Sequence, residues 1–348
     1  MKSREFMAAL DQIEYEKGIP KNEIMELIEN AVRKALEKHY YLASRYRVAL
    51  DRETGKISAW GIKKVCKEVE NPKEEISLKE AKRIKPEVEI QEEIEIPIDI
   101  NEIARIASET TQKVISQRIR EHEKSIIYKK YKSLIGEVIT GRVFRFIGRK
   151  AIIDLNDTEA ILPADAQIPK QFLRLNSHIR ALVQDVSGNE KKFNIILSRT
   201  SPELVKKLLR EEVPEVASGE VEILKVVREP GLRSKILVST KNKKVDPVGT
   251  CVGMRGARIK TIINELGGEK MDVINANLPL KNLIAASLAP VKLAPQNVEI
   301  VDEEKKIARV FVTPSQRPQV IGVDGKNIAL AGQLLGWKIE VENLQEKK

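Results

Sequence analysis

The stretch Asp246–Gly268, "DPVGTCVGMRGARIKTIINELGG", is glycine-spaced, basic and apolar at once. Its periodicity is helical, yet each interior glycine weakens a helix by about 1 kcal/mol against alanine. Accepting that at Gly249, Gly253 and Gly256 implies that the backbone must be bare there. A Gly-x-x-Gly turn between two helices lets the main chain press against a nucleic-acid backbone, because no Cβ holds the phosphates off. Amide N–H groups opening the next helix point at the anion, and the helix dipole favours negative charge there. In this reading Gly253, Met254, Arg255 and Gly256 form the turn and Arg255 reaches a phosphate. Arg258 and Lys260 extend the positive rim, and Val252, Ile259 and Ile262 form an apolar floor under splayed bases. The partner so implied is single-stranded RNA. A lone Gly-x-x-Gly is weak support, since most are close helix contacts or turns.

The segment recurs. "IGVDGKNIALAGQLLGW" (Ile321–Trp337) repeats the spacing with Gly322, Val323, Asp324 and Gly325, followed by Lys326. Each copy is preceded by a helical pattern ("SPELVKKLLREEV"; "LPLKNLIAASLAP") and two alternating runs, and each is closed by another such run ("KMDVINA"; "WKIEVENL"). The reading is a duplicated helix–strand–strand–helix–loop–helix–strand unit, an internal repeat over residues 201–276 and 277–348. Asp324 stands where phosphates should pass in the second copy, which weakens the expectation that both copies bind equally.

Upstream, "LIGEVITGRVFRF", "KAIIDL", "TEAILP", "HIRALVQDV" and "FNIILS" are strand candidates separated by turns over residues 133–200. Short strands in that density predict a small Greek-key barrel of the OB type, with "PADAQIPKQFLRLN" as its irregular link. "RVFRF" with Arg149 and Lys150 sets aromatic beside basic groups, as stacking platforms do. Phe144, Arg145, Phe146 and Arg149 are therefore candidate RNA contacts, with alternation placing both rings on one side. Filling of the barrel core by one or both rings is the equally weighted alternative. Arg180 is read as a solvated strand position.

Residues 1–132 read as a separate domain. Two amphipathic helices span 3–16 and 21–39, with Gly18 and Pro20 between them. A hairpin follows around Gly55, "IQEEIEIPIDI" (Ile90–Ile100) alternates as a strand, and a long helix runs from Asn101 to about Tyr131. The polar second half of that helix suits a link between domains. The fold class is thus multidomain α+β: an α/β amino-terminal domain with a long linker helix, a barrel, and two tandem repeats of α-β-β-α-α-β order.

Composition agrees with polyanionic partners. The 348 residues carry a net charge of +10, with the basic excess greatest after residue 200. The aromatic share of 4% argues against a large ring-lined cofactor cavity, and no cofactor is expected. Cys66 and Cys251 form no CxxC pair, which fits a reducing compartment. The amino terminus lacks an apolar h-region and no run is long enough to span a bilayer, so a cytoplasmic protein without a membrane partner is expected. The three histidines lie in separate segments without metal-ligand spacing, and no metal site is expected. "GVDGKN" is no phosphate loop, because Val320 and Asn327 replace the required glycine and hydroxyl. With no nucleophile signature either, no catalytic residue is assigned and no enzyme is expected.

"DPVGTCVGMRGARIKTIINELGGEKMDVI" closely resembles the first KH segment of the NusA family of bacterial transcription termination/antitermination factors, and "VIGVDGKNIALAGQLLGWKIEV" its second. "IGEVITGRVFR" through "FNIILSRTSPEL" resembles that family's ribosomal S-one-type barrel. "ARIASETTQKVISQRIREHEKSIIY" resembles its linker helix, and "LDQIEYEKGIPKNEIMELIENAVRKAL" its amino-terminal helices. The resemblance spans essentially the whole chain, in order. It implies KH domains of the prokaryotic type and residues 1–132 docking on RNA polymerase near the RNA exit. It further implies an S-one–KH–KH arm that holds nascent transcript, roles in pausing, termination and antitermination, and contacts with other elongation factors. A monomer is expected. The acidic repeats that some members carry are not expected after the second KH segment. Two alternatives use the same RNA-binding half: an RNA-capture subunit of an exoribonuclease, and a ribosome-assembly or translation factor. The barrel preceding two KH units, without a catalytic domain, favours the first reading over the nuclease.

Overall fold

In a computed structural model, the structure describes residues 3–40 and 45–344. The chain divides into two compact units, residues 1–126 and 127–348. No described helix is long and apolar enough to cross a membrane.

In the first unit, helix α1 (Ser3–Lys17) ends at Gly18, whose φ is +69°, and α2 (Lys21–Tyr40) follows. Spacings of three and four put Phe6, Met7 and Leu10 of α1 against Ile24, Met25, Ile28, Val32 and Leu36 of α2, all buried. Full burial of such a side chain stabilises by about 1.5–3 kcal/mol each. Strands β1 (Arg45–Leu50) and β2 (Ile57–Cys66) form an antiparallel hairpin. Its turn needs a glycine twice over: Gly55 has φ +67°, and a Cβ there would sit 2.8 Å from the Phe6 ring. Strand β3 (Glu75–Ser77) pairs parallel with β2 and runs into helix α3 (Leu78–Ile84). The sequence reading missed this pair, although Ser77-x-x-Glu80 is an N-cap signature: Ser77 Oγ accepts from Glu80 N at 3.3 Å and donates to Glu80 Oε2 at 2.8 Å. The run expected as a strand over Ile90–Ile100 is shorter in the structure, β4 (Glu93–Pro97), antiparallel to β2. Helix α4 (Ile100–Ser133) packs Ile106, Ala107, Val114, Ile115 and Ile119 into this unit's core.

The last turns of α4 belong to the second unit. Ile127, Tyr128 and Tyr131 pack on the core of a closed barrel, and Tyr131 Oη donates to Asp157 Oδ1 at 2.7 Å. Burial first, then the Asp157 carboxylate, raises the Tyr131 phenol above its ordinary range. The barrel comprises β5 (Val138–Ile147), β6 (Lys150–Asp154), β7 (Glu159–Leu162), β8 (His178–Asn189) and β9 (Lys192–Ser198), closed in the order β5-β6-β7-β9-β8. Gly141 is obligatory on β5, since a Cβ there would lie 2.4 Å from Ile153 Cγ2 inside the barrel.

Two αββααβ units follow. The first contains α5 (Pro202–Glu212), α6 (Pro214–Ala217), β10 (Glu222–Glu229), β11 (Arg233–Ser239), α7 (Pro247–Val252), α8 (Ala257–Glu265) and β12 (Lys270–Asn275). Helix α5 is started by Ser201, which accepts from Glu203 N at 3.2 Å, and buries Leu204, Val205, Leu208 and Leu209 on one face. The second contains α9 (Leu280–Ser287), β13 (Val298–Asp302), β14 (Ile307–Val312), α10 (Arg317–Ile321), α11 (Lys326–Leu335) and β15 (Lys338–Asn343). Each sheet has the hairpin antiparallel and the closing strand parallel to its middle strand.

The outer face of the first sheet carries Val227, Leu237 and Ile274, which are covered by Leu283, Leu330 and Leu334 of the second unit. Register matches the sheets pair for pair. Lys235↔Asp272 and Leu237↔Ile274 in the first correspond to Arg309↔Glu340 and Phe311↔Glu342 in the second. On the second sheet Arg309 instead lies 2.9 Å from Glu342, 3.7 Å from Glu299 and 3.8 Å from Glu340.

Barrel and first αββααβ unit are joined by buried polar groups. Arg199, at 1% exposure, donates to Gln171 Oε1 (3.3 Å), Glu265 Oε1 (2.9 Å), the Glu265 carbonyl (2.7 Å) and the Arg180 carbonyl. Burial lowers its pKa, against the raising effect of Glu265, and leaves an arginine still cationic at neutral pH.

Candidate nucleic-acid interface

The two Gly-x-x-Gly turns share one backbone. Gly253 and Gly322 have φ/ψ of 73°/172° and 77°/176°, Arg255 and Asp324 have 51°/24° and 51°/28°, and Gly256 and Gly325 have 75°/19° and 72°/9°. Three positive-φ positions in four residues reverse the chain so that each turn's tip projects. Met254 is 90% exposed and Val323 67%.

The three glycines of the first stretch have different reasons. Gly249 makes room for the Asp246 carboxylate, which accepts from Val248 N at 3.1 Å to cap α7; a Cβ would stand 2.6 Å from it. Gly253 is crowded from inside, since a Cβ would meet Arg258 Cγ at 2.8 Å. Gly256 alone faces open space, with Lys260 Cε at 3.7 Å the nearest atom to a Cβ. Bareness toward a ligand is thus a property of Gly256, while Gly253 serves close packing.

Several sequence-stretch assignments change accordingly. Arg258 is half-buried and engaged: its Nη1 donates to the Thr250 carbonyl (2.8 Å) and pairs with Glu215 at 3.0 Å. It latches α7 to α8 across the turn. Asn327 occupies the equivalent position in the second copy, a role no motif announced, and its Nδ2 donates to the Gln319 and Val320 carbonyls at 3.2 and 3.1 Å. A Cβ at Gly322 would strike Asn327 Cβ at 2.6 Å, the same crowding as at Gly253. Ile259 and Ile262 are core residues with Val252 packed against them. Burial pushes the Cys251 thiol beneath this turn up to about 11, which makes it an inert core residue.

Arg255 and Lys260 are exposed and make no ion pair among the described residues. In the second copy the Lys326 ammonium is 2.9 Å from Glu229 of the first sheet, so its charge is partly spent on the junction. Asp324 accepts no capping hydrogen bond, and Gly325 is the residue that opens α11.

On the barrel, Phe144 and Phe146 are 45% and 43% exposed, so neither ring fills the core. The alternation expected through "RVFRF" is broken by a bulge between Val143 and Arg145, opposite Ile153 and Ile152. The Arg145 guanidinium lies 5.0 Å from the Phe144 ring centroid and binds Glu159 through both nitrogens, at 2.6 and 2.7 Å. Arg149 is exposed at the β5–β6 turn. Arg180 keeps part of the solvent exposure expected of it and pairs with Glu211 of α5.

Two tandem αββααβ units with matching Gly-x-x-Gly turns define a KH-type binding protein. The chain matches the NusA N-terminal domain over residues 5–125, the NusA-like first KH domain over 199–276 and the NusA-like second KH domain over 280–348. It is 41% identical over 342 residues to the transcription termination/antitermination protein NusA of Halalkalibacterium halodurans, covering 98% of this chain and 89% of that one. Identity to the protein of the same name is 39% in Bacillus subtilis, over 98% of this chain and 91% of the other. In Thermus thermophilus it is 36%, over 99% and 91%. The chain belongs to the NusA family.

Proposed function

We infer that this chain performs its family's role as an RNA-binding regulator of transcription elongation, acting in pausing, termination and antitermination without catalysis. The reading assigns residues 1–132 to RNA polymerase and the remainder to single-stranded nascent RNA, with other elongation factors as further partners. The closed barrel over 133–200 is taken as OB-type and S-one-like, ahead of KH domains at 201–276 and 277–348. A cytoplasmic, monomeric protein fits this role. Within the RNA-binding half, the contacts are Gly253, Met254, Arg255, Gly256 and Lys260 in the first turn, and Gly322, Val323, Gly325 and Lys326 in the second. Phe144, Arg145, Phe146 and Arg149 serve on the barrel. Arg258 acts through the loop it latches.

The supporting observation is the duplicated turn, in whose first copy Arg255, without an ion pair among the described residues, stands beside Gly256, which opens onto solvent. A passing phosphate gains the Arg255 charge and the amide groups at the start of α8. Gly256→Asp tests this directly. The added Cβ meets no steric obstacle, and the left-handed conformation costs about 1–2 kcal/mol for an L-residue, so the fold is expected to persist. RNA affinity measured by filter binding is expected to fall sharply. Arg255→Ala should weaken binding across sequences and reduce the slope of log affinity against log salt by about 0.7, the single-strand value for one phosphate. Unchanged titrations for both variants would remove the loop from the interface.

A further inference from the structure

The link between β7 and β8 is the one motif of the barrel that this function leaves unused. It is irregular, yet it is held at four points. Ile168 is buried among residues of the first KH core, and the Pro169 carbonyl lies against Gly231, where a Cβ would approach it to 2.8 Å. Gln171 bridges Arg199 (3.3 Å) and the Glu265 carbonyl (3.4 Å), while Leu173 packs on the barrel core. The segment then returns to β5, with Asn176 N donating to the Val143 carbonyl at 2.8 Å. Between these anchors Phe172 is 93% exposed. Lys170 and Arg174, two residues to either side, are exposed and pair with no carboxylate among the described residues.

A phenyl ring held out in water on a fixed loop, with an unneutralised cation on each side, has the make-up of a base-stacking platform on a phosphate track. Its position supports the same occupant. One end of the loop touches the first KH unit beside Gly231 and Gly267, and the other is bonded to β5 at the residue before Phe144. We propose that Phe172, with Lys170 and Arg174, is an RNA-stacking site that carries a single strand between the barrel and the first KH unit. This rests on the RNA-binding reading above. A protein partner would be favoured by an uncharged apolar surround, which the two cations deny.

The test uses the full chain and a single-stranded RNA oligomer long enough to span barrel and both KH units. Phe172→Ala leaves the melting temperature unchanged, because the ring packs on nothing, and is expected to lower RNA affinity by about tenfold, within the range for one stacked base. Phe172→Trp retains affinity, and RNA quenches its emission beyond the change seen for the parent chain's two tryptophans. Arg174→Ala flattens the salt slope by about 0.7. Unchanged RNA affinity for Phe172→Ala, in a preparation where Gly256→Asp is impaired, overturns this inference and leaves the function intact. Unchanged affinity for both variants overturns the function and this inference with it. Loss of polymerase capture by Phe172→Ala with RNA binding intact makes the loop a protein contact and likewise overturns the proposal.

Discussion

Asp324 is the residue at which the two KH turns part company. Its backbone copies that of Arg255 to within a few degrees, yet it presents a carboxylate where the first copy presents a guanidinium. The carboxylate caps nothing, so its charge is uncompensated by the following helix. A phosphate passing this turn meets repulsion on the scale of an exposed charge pair, about 0.2–1 kcal/mol. Asp324→Lys is therefore expected to raise RNA affinity several-fold at low salt without lowering the melting temperature. The gain should shrink as the Debye length falls from about 10 Å at 0.1 M salt to about 3 Å at 1 M. Titrations at two salt concentrations check this, and an unchanged affinity at low salt would mean that RNA does not pass the second turn.

At the level of elements, a single carboxylate ties the first KH sheet together. Glu269, just before β12, accepts from Arg228 Nε of β10 (2.8 Å), Ser234 Oγ of β11 (2.6 Å) and the Gly231 amide of their turn (2.8 Å). Arg228 also donates to the Ser201 carbonyl at the start of α5 (2.9 Å). Both charged side chains are fully buried. Glu269→Ala strands a buried guanidinium and is expected to destabilise this unit by about 3–5 kcal/mol, read as a lowered urea midpoint. Glu340→Ala, which breaks surface pairs with Lys338 and Arg309, should cost under about 1 kcal/mol. The elements themselves were legible because their signals are local: the 3,4 spacing of α2, the capped apolar face of α5, the alternation of β14. What periodicity does not carry is which cation is already engaged. Arg258 finds Glu215, Lys326 finds Glu229 and Arg199 finds Glu265, each through partners distant in sequence, so three basic residues of similar appearance became a latch, a junction contact and a buried tie. The site was readable as a turn type, and its free charges only from the packed structure.

For the whole molecule, the separation into two compact units gives a test of divided labour. Residues 127–348 contain every proposed RNA contact and are expected to bind single-stranded RNA about as well as the full chain. Residues 1–126 are expected to capture polymerase without RNA. The cut belongs before Ile127, because Ile127, Tyr128 and Tyr131 complete the barrel core. Removing three such contacts by starting at residue 133 would cost the barrel several kcal/mol, on the scale of about 3–5 kcal/mol for one large aromatic. Filter binding with the longer fragment is the appropriate measurement, and loss of RNA affinity there would place an essential contact in the first unit.

The charged outer face of the second KH sheet bears on how many copies such a chain tolerates. A unit whose helices fit the sheet of the unit before it has, in principle, no last member: duplication could lengthen the row, and a neighbouring molecule could extend it into a fibre, as heterologous contacts that do not close will do. Ile274 accepts the next unit, whereas Glu342 in the matching register position would have to be desolvated beside Arg309 to do so. One carboxylate in place of one isoleucine thus sets a desolvation cost against a further unit, or a second copy, stacking on this face.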